Sequence, residues 1–411
     1  MLPNWQLRAR FAAALSQMYG TEVPAYTTLV DVSTAVNADH AAAHPDAQRL
    51  GSLDRVTAER HGAIRVGTPG ELADVADLFA AFGMYPVGFY DLRDAAAPVP
   101  VVSTAFRPID PDELERNPFR VFTSMLAIDD AQFFDADLRP RMRRFLAART
   151  LFDPALIARA RTIAADGGCA ADTADVFVAQ AVSAFALSRE PVDRAWYDEL
   201  SAVSAVAADI AGVTRTHINH LTPRVLDIDG LYARMTARGI TMIDAIQGPP
   251  RTAGPAVLLR QTSFRALAEP RRFREPDGLV TDGTLRVRFG EVEARGVALT
   301  RAGRQRYDAA LIDAAGGPIS TAIWDRHFPA TDAELAAQGL AYYRGGDPDA
   351  PVVYEDFLPA SAAGIFASNL DGDAHKADAA DPATQYSQDW MAGAIARDIF
   401  DPYDLYEKAA S

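Results

Sequence analysis

The chain has 411 residues, with 55 acidic and 40 basic side chains and a formal net charge of −15. No uninterrupted run of apolar residues is long enough to cross a membrane as a helix, and so acidic a surface is a poor partner for nucleic acid or anionic lipid. The single cysteine, Cys169, excludes an internal disulfide and a cysteine-based zinc site, and it fits a reducing cytoplasm.

The N-terminal stretch "MLPNWQLRARFAAALSQMYG" lacks the compact apolar core and cleavage pattern of a signal peptide and reads as an amphipathic helix. Residues 1–50 are expected to be helices and loops, and "SLDRVTAER" (52–60) a short helix. "HGAIRV" (61–66) has the composition of a strand. The segment that follows has Thr68 as N-cap, Pro69 in the first turn and Gly83 at the end of the helix. "MYPVGFYDL", "VPVVSTAFRPI" and "FRVFTSMLAI" then supply three strands. From 135 to 210 apolar residues recur at helical spacing through about four helices. Strands return with "THINHLTPRV", followed by a helix that Asp227 or Asp229 is placed to cap and that ends at Gly239. Three more strand-like segments are "ITMIDAIQG", "AVLLRQTSFRAL" and "TLRVRFGEVEARGVALT".

The two strand-rich parts match each other. His61 lies 22 residues before Gly83, and His217 lies 22 residues before Gly239. "TAFRPI" parallels "TSFRAL", and "FRVFTSML" parallels "LRVRFGEVE". Each part reads as strand, helix, strand, strand, strand, and a repeated unit of this size implies that two copies pack around one core. The chain therefore divides into an N-terminal helical region (1–50), a first βαβββ module (51–134), a helical insertion (135–210), a second βαβββ module (211–300) and a C-terminal region (301–411).

A lone strand histidine is more often structural than ligating, but equivalent positions in two copies make His61 and His217 candidate metal ligands. His220 is an odd number of residues from His217, so on a regular strand the two point to opposite faces. His220 is accordingly left as a structural or supporting residue. A third, oxygen ligand is offered by Glu291 or Glu293, which share one face of "FGEVEAR". The competing reading is a solvated face on which both pair with nearby arginines. Two histidines and one carboxylate are the arrangement of non-heme Fe(II) oxygenases. Arg65, on the same face as His61, suits a dicarboxylate substrate.

These residues carry a family resemblance. The paired modules, each opened by a histidine, with a glutamate on the last strand, look like the vicinal oxygen chelate superfamily. "RHGAIRVGTPGEL", "HINHLTPRVLDID", "LLRQTSFRAL", "GEVEARGVALT" and "YEDFLPASAAGIF", in this order, resemble the 2-oxoadipate dioxygenase/decarboxylase family, also called hydroxyglutarate synthase. The implied fold is α+β, with two vicinal-oxygen-chelate-like modules forming a shared sheet or barrel, an inserted helical block, the metal site in the second module and a C-terminal region that completes the pocket. The implied site is Fe(II) held by His61, His217 and Glu291, with Arg65 on the distal carboxylate of the substrate and Ser361 and Ala360 lining the pocket. The family pattern implies valine at 360, so the alanine is a departure. Gln261 is a candidate pocket residue, and Arg224 a candidate second anion clamp.

The resemblance implies a cytoplasmic enzyme of lysine catabolism that converts 2-oxoadipate and O2 to 2-hydroxyglutarate and CO2. Two other readings stand beside it: a metal dioxygenase of the same fold acting on a different 2-oxo acid or a catechol, and a metal-free small-molecule binding protein. The oligomeric state is left open.

Overall fold

The computed structural model describes residues 1–95, 98–358 and 386–411. Ala360, Ser361 and the segment "DGDAHKADAADPATQ" lie outside the described residues. So does most of the turn expected in "VVYEDFLPASAAGIFASNL".

The first module is β1 (Arg60–Val66), the helix Pro69–Ala80, β2 (Tyr85–Asp91), β3 (Val101–Arg107) and β4 (Arg120–Leu126). Thr68 caps the helix by accepting from Glu71 N at 3.1 Å. The second module opens with β5 (Ile218–Pro223) and the helix Ile228–Ala237, capped by Asp227 rather than Asp229. Its later strands are β6 (Leu259–Phe264), the hairpin β7 (Glu269–Arg274) and β8 (Val280–Leu285), and finally β9 (Gly290–Arg295). Two expectations are refined. "ITMIDAIQG" only bridges β6, at Met242–Phe264 and Gln247–Gln261. "TLRVRFGEVEARGVALT" breaks into the end of the hairpin and β9.

The strands join in the order β2-β3-β4-β1-β5, with β1 and β5 antiparallel, and β9 pairs with β6 as a separate ladder. β9 runs beside β5 through the Arg224–Glu293 bridge, where Val225 N donates to Glu293 O at 2.8 Å. The opening strands of the two modules are therefore adjacent, and each closing strand lies parallel to its own opening strand. This is a sheet shared by two copies of one unit within an α+β fold, with no closed barrel among the described residues. Gly290 begins β9 because the ring of Phe264 would lie 1.8 Å from any Cβ there.

Between the modules, residues 138–211 hold five helices, one more than the periodicity suggested. The long helices Asn4–Glu22 and Pro24–Ala43 pack on the sheet through Phe11, Leu15, Tyr19 and Leu29. Among the described residues no helix is long and apolar enough to cross a membrane.

Candidate metal centre

β1 and β5 pair with His61 opposite Thr222 and Ala63 opposite His220, which brings two imidazoles edge-to-face at 5.5 Å. β9 adds Glu291. His61 Nε2 lies 3.4 Å from Glu291 Oε1, and His220 Nε2 lies 3.5 Å from Glu291 Oε2. His61, His220 and Glu291 are all buried, and each offers a ligand atom within 4.8 Å of the others.

The outer nitrogen of each ring faces an oxygen. His61 Nδ1 stands 3.0 Å from Glu293 Oε2, and His220 Nδ1 is 3.0 Å from Thr222 Oγ1. An oxygen beside Nδ1 leaves Nε2 facing inward, which is how metal-ligating histidines are usually oriented. Separations of 3.4–3.5 Å are long for charge-assisted hydrogen bonds. They suit donors that face a common point, and two imidazole nitrogens with one carboxylate oxygen fit a first-row divalent metal. Gln261 Nε2 donates to Glu291 Oε1 and fixes that carboxylate. Phe357 lies edge-on to His61 at 5.0 Å and Phe289 stacks on His220 at 5.0 Å, so the group is walled by apolar rings.

Glu293 belongs to a buried charge lattice. It accepts from Arg295 Nε at 2.7 Å and Nη2 at 2.8 Å, and from Arg120 Nη1 at 3.4 Å. Glu59 links Arg120 to Arg224, each at 2.8 Å. Burial alone would raise the Glu293 carboxyl, but Arg295, His61 and Arg120 outweigh it and hold it down at about 2. Burial also opposes protonation of His61, yet Glu293 and Glu291 together raise its pKa. At His220 burial wins, reinforced by His61 and Arg65, and the pKa falls well below the usual histidine range.

The geometry corrects the expectation at one ligand. His217 precedes β5 and is not part of the converging group. Its Nε2 is 3.1 Å from Asn219 Nδ2 and 3.4 Å from Asp209 Oδ1. Burial lowers its pKa to about 4. The repeat explains the slip. His61 lies seven residues before its helix cap, Thr68, and His220 lies seven before Asp227. From cap to terminal glycine the first copy spans 15 residues, 68 to 83, and the second only 12, 227 to 239. Counting back from the glycines therefore displaced the match by three residues. Sheet pairing agrees independently. Arg65 faces Ser124 in the first copy, while Arg224 faces Glu293 in the second. Ser124 and Glu293 are equivalent, because they oppose Ser103 and Gln261 on the matching strands β3 and β6. His61 and His220, each four residues before its arginine, thus hold the same place.

Arg65 is ion-paired through Nη1 with Asp209 Oδ2, which also accepts from Asn219 Nδ2 at 2.9 Å. Arg224 is absorbed by the lattice, donating to Glu59 Oε2 and, at 2.6 Å, to Leu50 O. It is closed off from the site that was a candidate for anion clamping. The sequence reading missed Asp209, Asn219 and Thr222. Asp209 left a signal: it is the one charged residue in the buried helix "AVAADIA", where a carboxylate needs partners.

Two linked modules sharing a sheet, with two histidines and a glutamate converging where they meet, define an α+β protein with a candidate mononuclear metal centre. The model of the 2-oxoadipate dioxygenase/decarboxylase family matches residues 11–369, and the chain belongs to that family. A 2-oxoadipate dioxygenase/decarboxylase of Mycobacterium tuberculosis is 73% identical over 409 residues, covering 100% of this chain and 97% of the relative. One from Pseudomonas putida is 39% identical, covering 98% and 94%. The crystal structure of hydroxyglutarate synthase in complex with 2-oxoadipate, also from Pseudomonas putida, superposes with a TM-score of 0.83 at 37% identity, covering 100% of this chain and 96% of that one.

Proposed function

We propose that this chain is an Fe(II)-dependent dioxygenase/decarboxylase that converts 2-oxoadipate and O2 to 2-hydroxyglutarate and CO2. The atoms balance, with one carbon lost as CO2 and both oxygen atoms of O2 retained in the products. The observation that carries the reading is the convergence of His61, His220 and Glu291 in a member of this family. In this assignment those three residues hold the metal, and His217 does not. Bound Fe(II) would supply Lewis acidity to the 2-oxo acid and reducing equivalents to O2.

The chain's own residues supply the rest. Glu293 beside one Nδ1 and Thr222 on the other aim both imidazoles inward through Nε2. Gln261 orients Glu291 through its carboxylate oxygen, acting beside the metal ligand rather than on a free wall of the pocket. Phe122, Phe289 and Phe357 exclude water, which strengthens every charge interaction inside. Arg65 is assigned to the distal carboxylate of the substrate, which would share it with Asp209. Ser361 and Ala360 are assigned to the pocket lining on the family pattern. The reaction is placed in lysine catabolism, in the cytoplasm.

The test is oxygen uptake by protein reconstituted anaerobically with Fe(II), on adding 2-oxoadipate, with 2-oxoglutarate as control. Uptake matched by 2-hydroxyglutarate is expected. Iron binding without uptake would sink the substrate assignment and point to another 2-oxo acid or a catechol. A protein that binds no iron would sink the enzyme reading in favour of a binding protein.

A further inference from the structure

A cavity of about 330 Å³ is lined in part by Asp209 and His217. None of the three candidate metal ligands lines it, and it is distinct from the metal centre itself. Its apolar wall includes Phe145, Val192, Leu285 and Val287, and its charged lining has Arg215, Arg271 and Arg274 beside Glu190, Asp193 and Asp209.

Arg271 is on β7, in the hairpin that interrupts the second module. Two residues along the same strand, Phe273 is fully buried, so Arg271 stands on the inward face. The hairpin is anchored: Phe273 pairs with Val192, and the Arg194 guanidinium covers the Phe273 ring at 3.4 Å. Arg271 Nη2 is sealed from water and has no hydrogen-bond partner among the described residues. Nη1 has only the Pro270 carbonyl at 3.4 Å. The neighbouring carboxylate that might have taken it, Glu269, is engaged with Arg288. Arg271 lies close enough to His217 to disfavour its protonation, together with Arg288 and Arg65 and against Asp209, which favours it. A half-buried guanidinium with so few hydrogen-bond partners favours an anion, and its planar fork matches a carboxylate. A chamber of this size, with an apolar wall and arginines set among its carboxylates, has the form of a site for a small aliphatic acid.

We propose that this cavity is a carboxylate-docking site, with Arg271 as its anchor, that receives the aliphatic dicarboxylate substrate before it reaches Arg65 and the metal centre. The inference rests on the functional reading above for the identity of the substrate. It adds a specificity-determining residue on a hairpin outside both repeats.

The direct probe is adipate, which has both carboxylates but lacks the 2-oxo group that a metal would chelate. Calorimetric titration of adipate into metal-free protein is expected to give binding that weakens by about tenfold in Arg271→Ala, the loss of one charge-assisted contact. Arg271→Lys keeps the charge without the fork and is expected to fall between the two. Unchanged thermal melting of both variants checks that the hairpin is intact. With iron-loaded protein, Arg271→Ala should raise the KM for 2-oxoadipate by a larger factor than it lowers kcat. If adipate binds wild type and Arg271→Ala equally, or binds neither while 2-oxoadipate turns over, the docking site is overturned and the functional reading survives. If adipate binding depends on Arg271 but 2-oxoadipate is not turned over, the docking site stands and the substrate assignment fails.

Discussion

Phe122 and Glu291 occupy the same place in the two copies of one unit. Each is on the closing strand, one residue beyond the position that opposes a matched phenylalanine, Phe106 in one copy and Phe264 in the other. In the first copy the side chain is an apolar ring packed 5.0 Å from Phe357. In the second it is a carboxylate held by Gln261 and faced by two imidazoles. The opening strands, by contrast, contribute alike, one histidine each. A repeat can thus divide its labour. Both copies place an imidazole at the candidate site, one adds a carboxylate, and the other adds an apolar ring. The arginines four residues after the histidines diverge in the same way: Arg65 pairs with Asp209 beside a cavity, and Arg224 is locked to Glu59 and a backbone carbonyl.

The largest expected effect breaks the symmetry of the opening strands. His220→Ala should weaken binding of Fe(II), or of Co(II) as a spectroscopic stand-in, by well over tenfold, since outer supports alone are worth roughly 10–100-fold. His217→Ala should leave metal affinity within a few-fold of wild type. Titration of the apoprotein measures both, and the Co(II) absorption bands report whether the remaining ligands still share one ion. Loss of metal in His217→Ala with retention in His220→Ala would overturn the structural register.

The second effect separates the same two histidines by their surroundings. His217 has a pKa of about 4, against an ordinary 6.5, and burial is the chief cause. Between these values the unfolded chain binds a proton that the folded chain refuses, so stability falls as pH is lowered from 6.5 toward 4. The full cost is about 3 kcal/mol. His220, also depressed by burial, adds in the same direction, while His61, raised by Glu293 and Glu291, opposes it. The difference between wild type and His217→Gln isolates the His217 share. Denaturant unfolding of the metal-free protein at pH 7 and pH 4.5 should show a smaller drop for the variant. Equal drops would mean that His217 takes up its proton without cost in the fold.

Most of the architecture was legible before any coordinates. β1 to β5 fall where period-two apolar segments stand between turn residues, and Thr68 is the cap that its position before Pro69 suggested. His61 stood out from the repeat, and the shared face of "FGEVEAR" offered Glu291 beside Glu293, between which only the family resemblance chose. Three things could not. The second helix is three residues shorter from cap to glycine, and that change moved the histidine match without altering the pattern of either strand. The hairpin Glu269–Leu285 enters between two strands of the repeat and carries Arg271, which no internal symmetry marks. Asp209 reaches Arg65 across 144 positions of sequence, a distance over which periodicity says nothing. Glu293, read as an alternative ligand to Glu291, is two residues along the same strand but one layer further back, on the outer nitrogen of His61. The arginines around it decide that role, and each comes from a different part of the chain.

The smallest effect tests the landmark that gave the register. Thr68 and Asp227 each accept a backbone N–H three residues on, at 3.1 and 3.0 Å. Replacing either by alanine should cost about 1 kcal/mol, read as a shift in denaturant midpoint at constant slope. Neither cap touches the converging ligands, so metal affinity should be unchanged in both variants. The two costs should also be alike if the caps mark equivalent points of one unit. The shorter second helix has fewer intrahelical bonds to lose, so a markedly larger cost at Asp227 cannot come from the helix itself. It would have to come from the loop after β5, and equivalence counted from the caps would then fail even though the sheet pairing still placed His220 opposite Ala63.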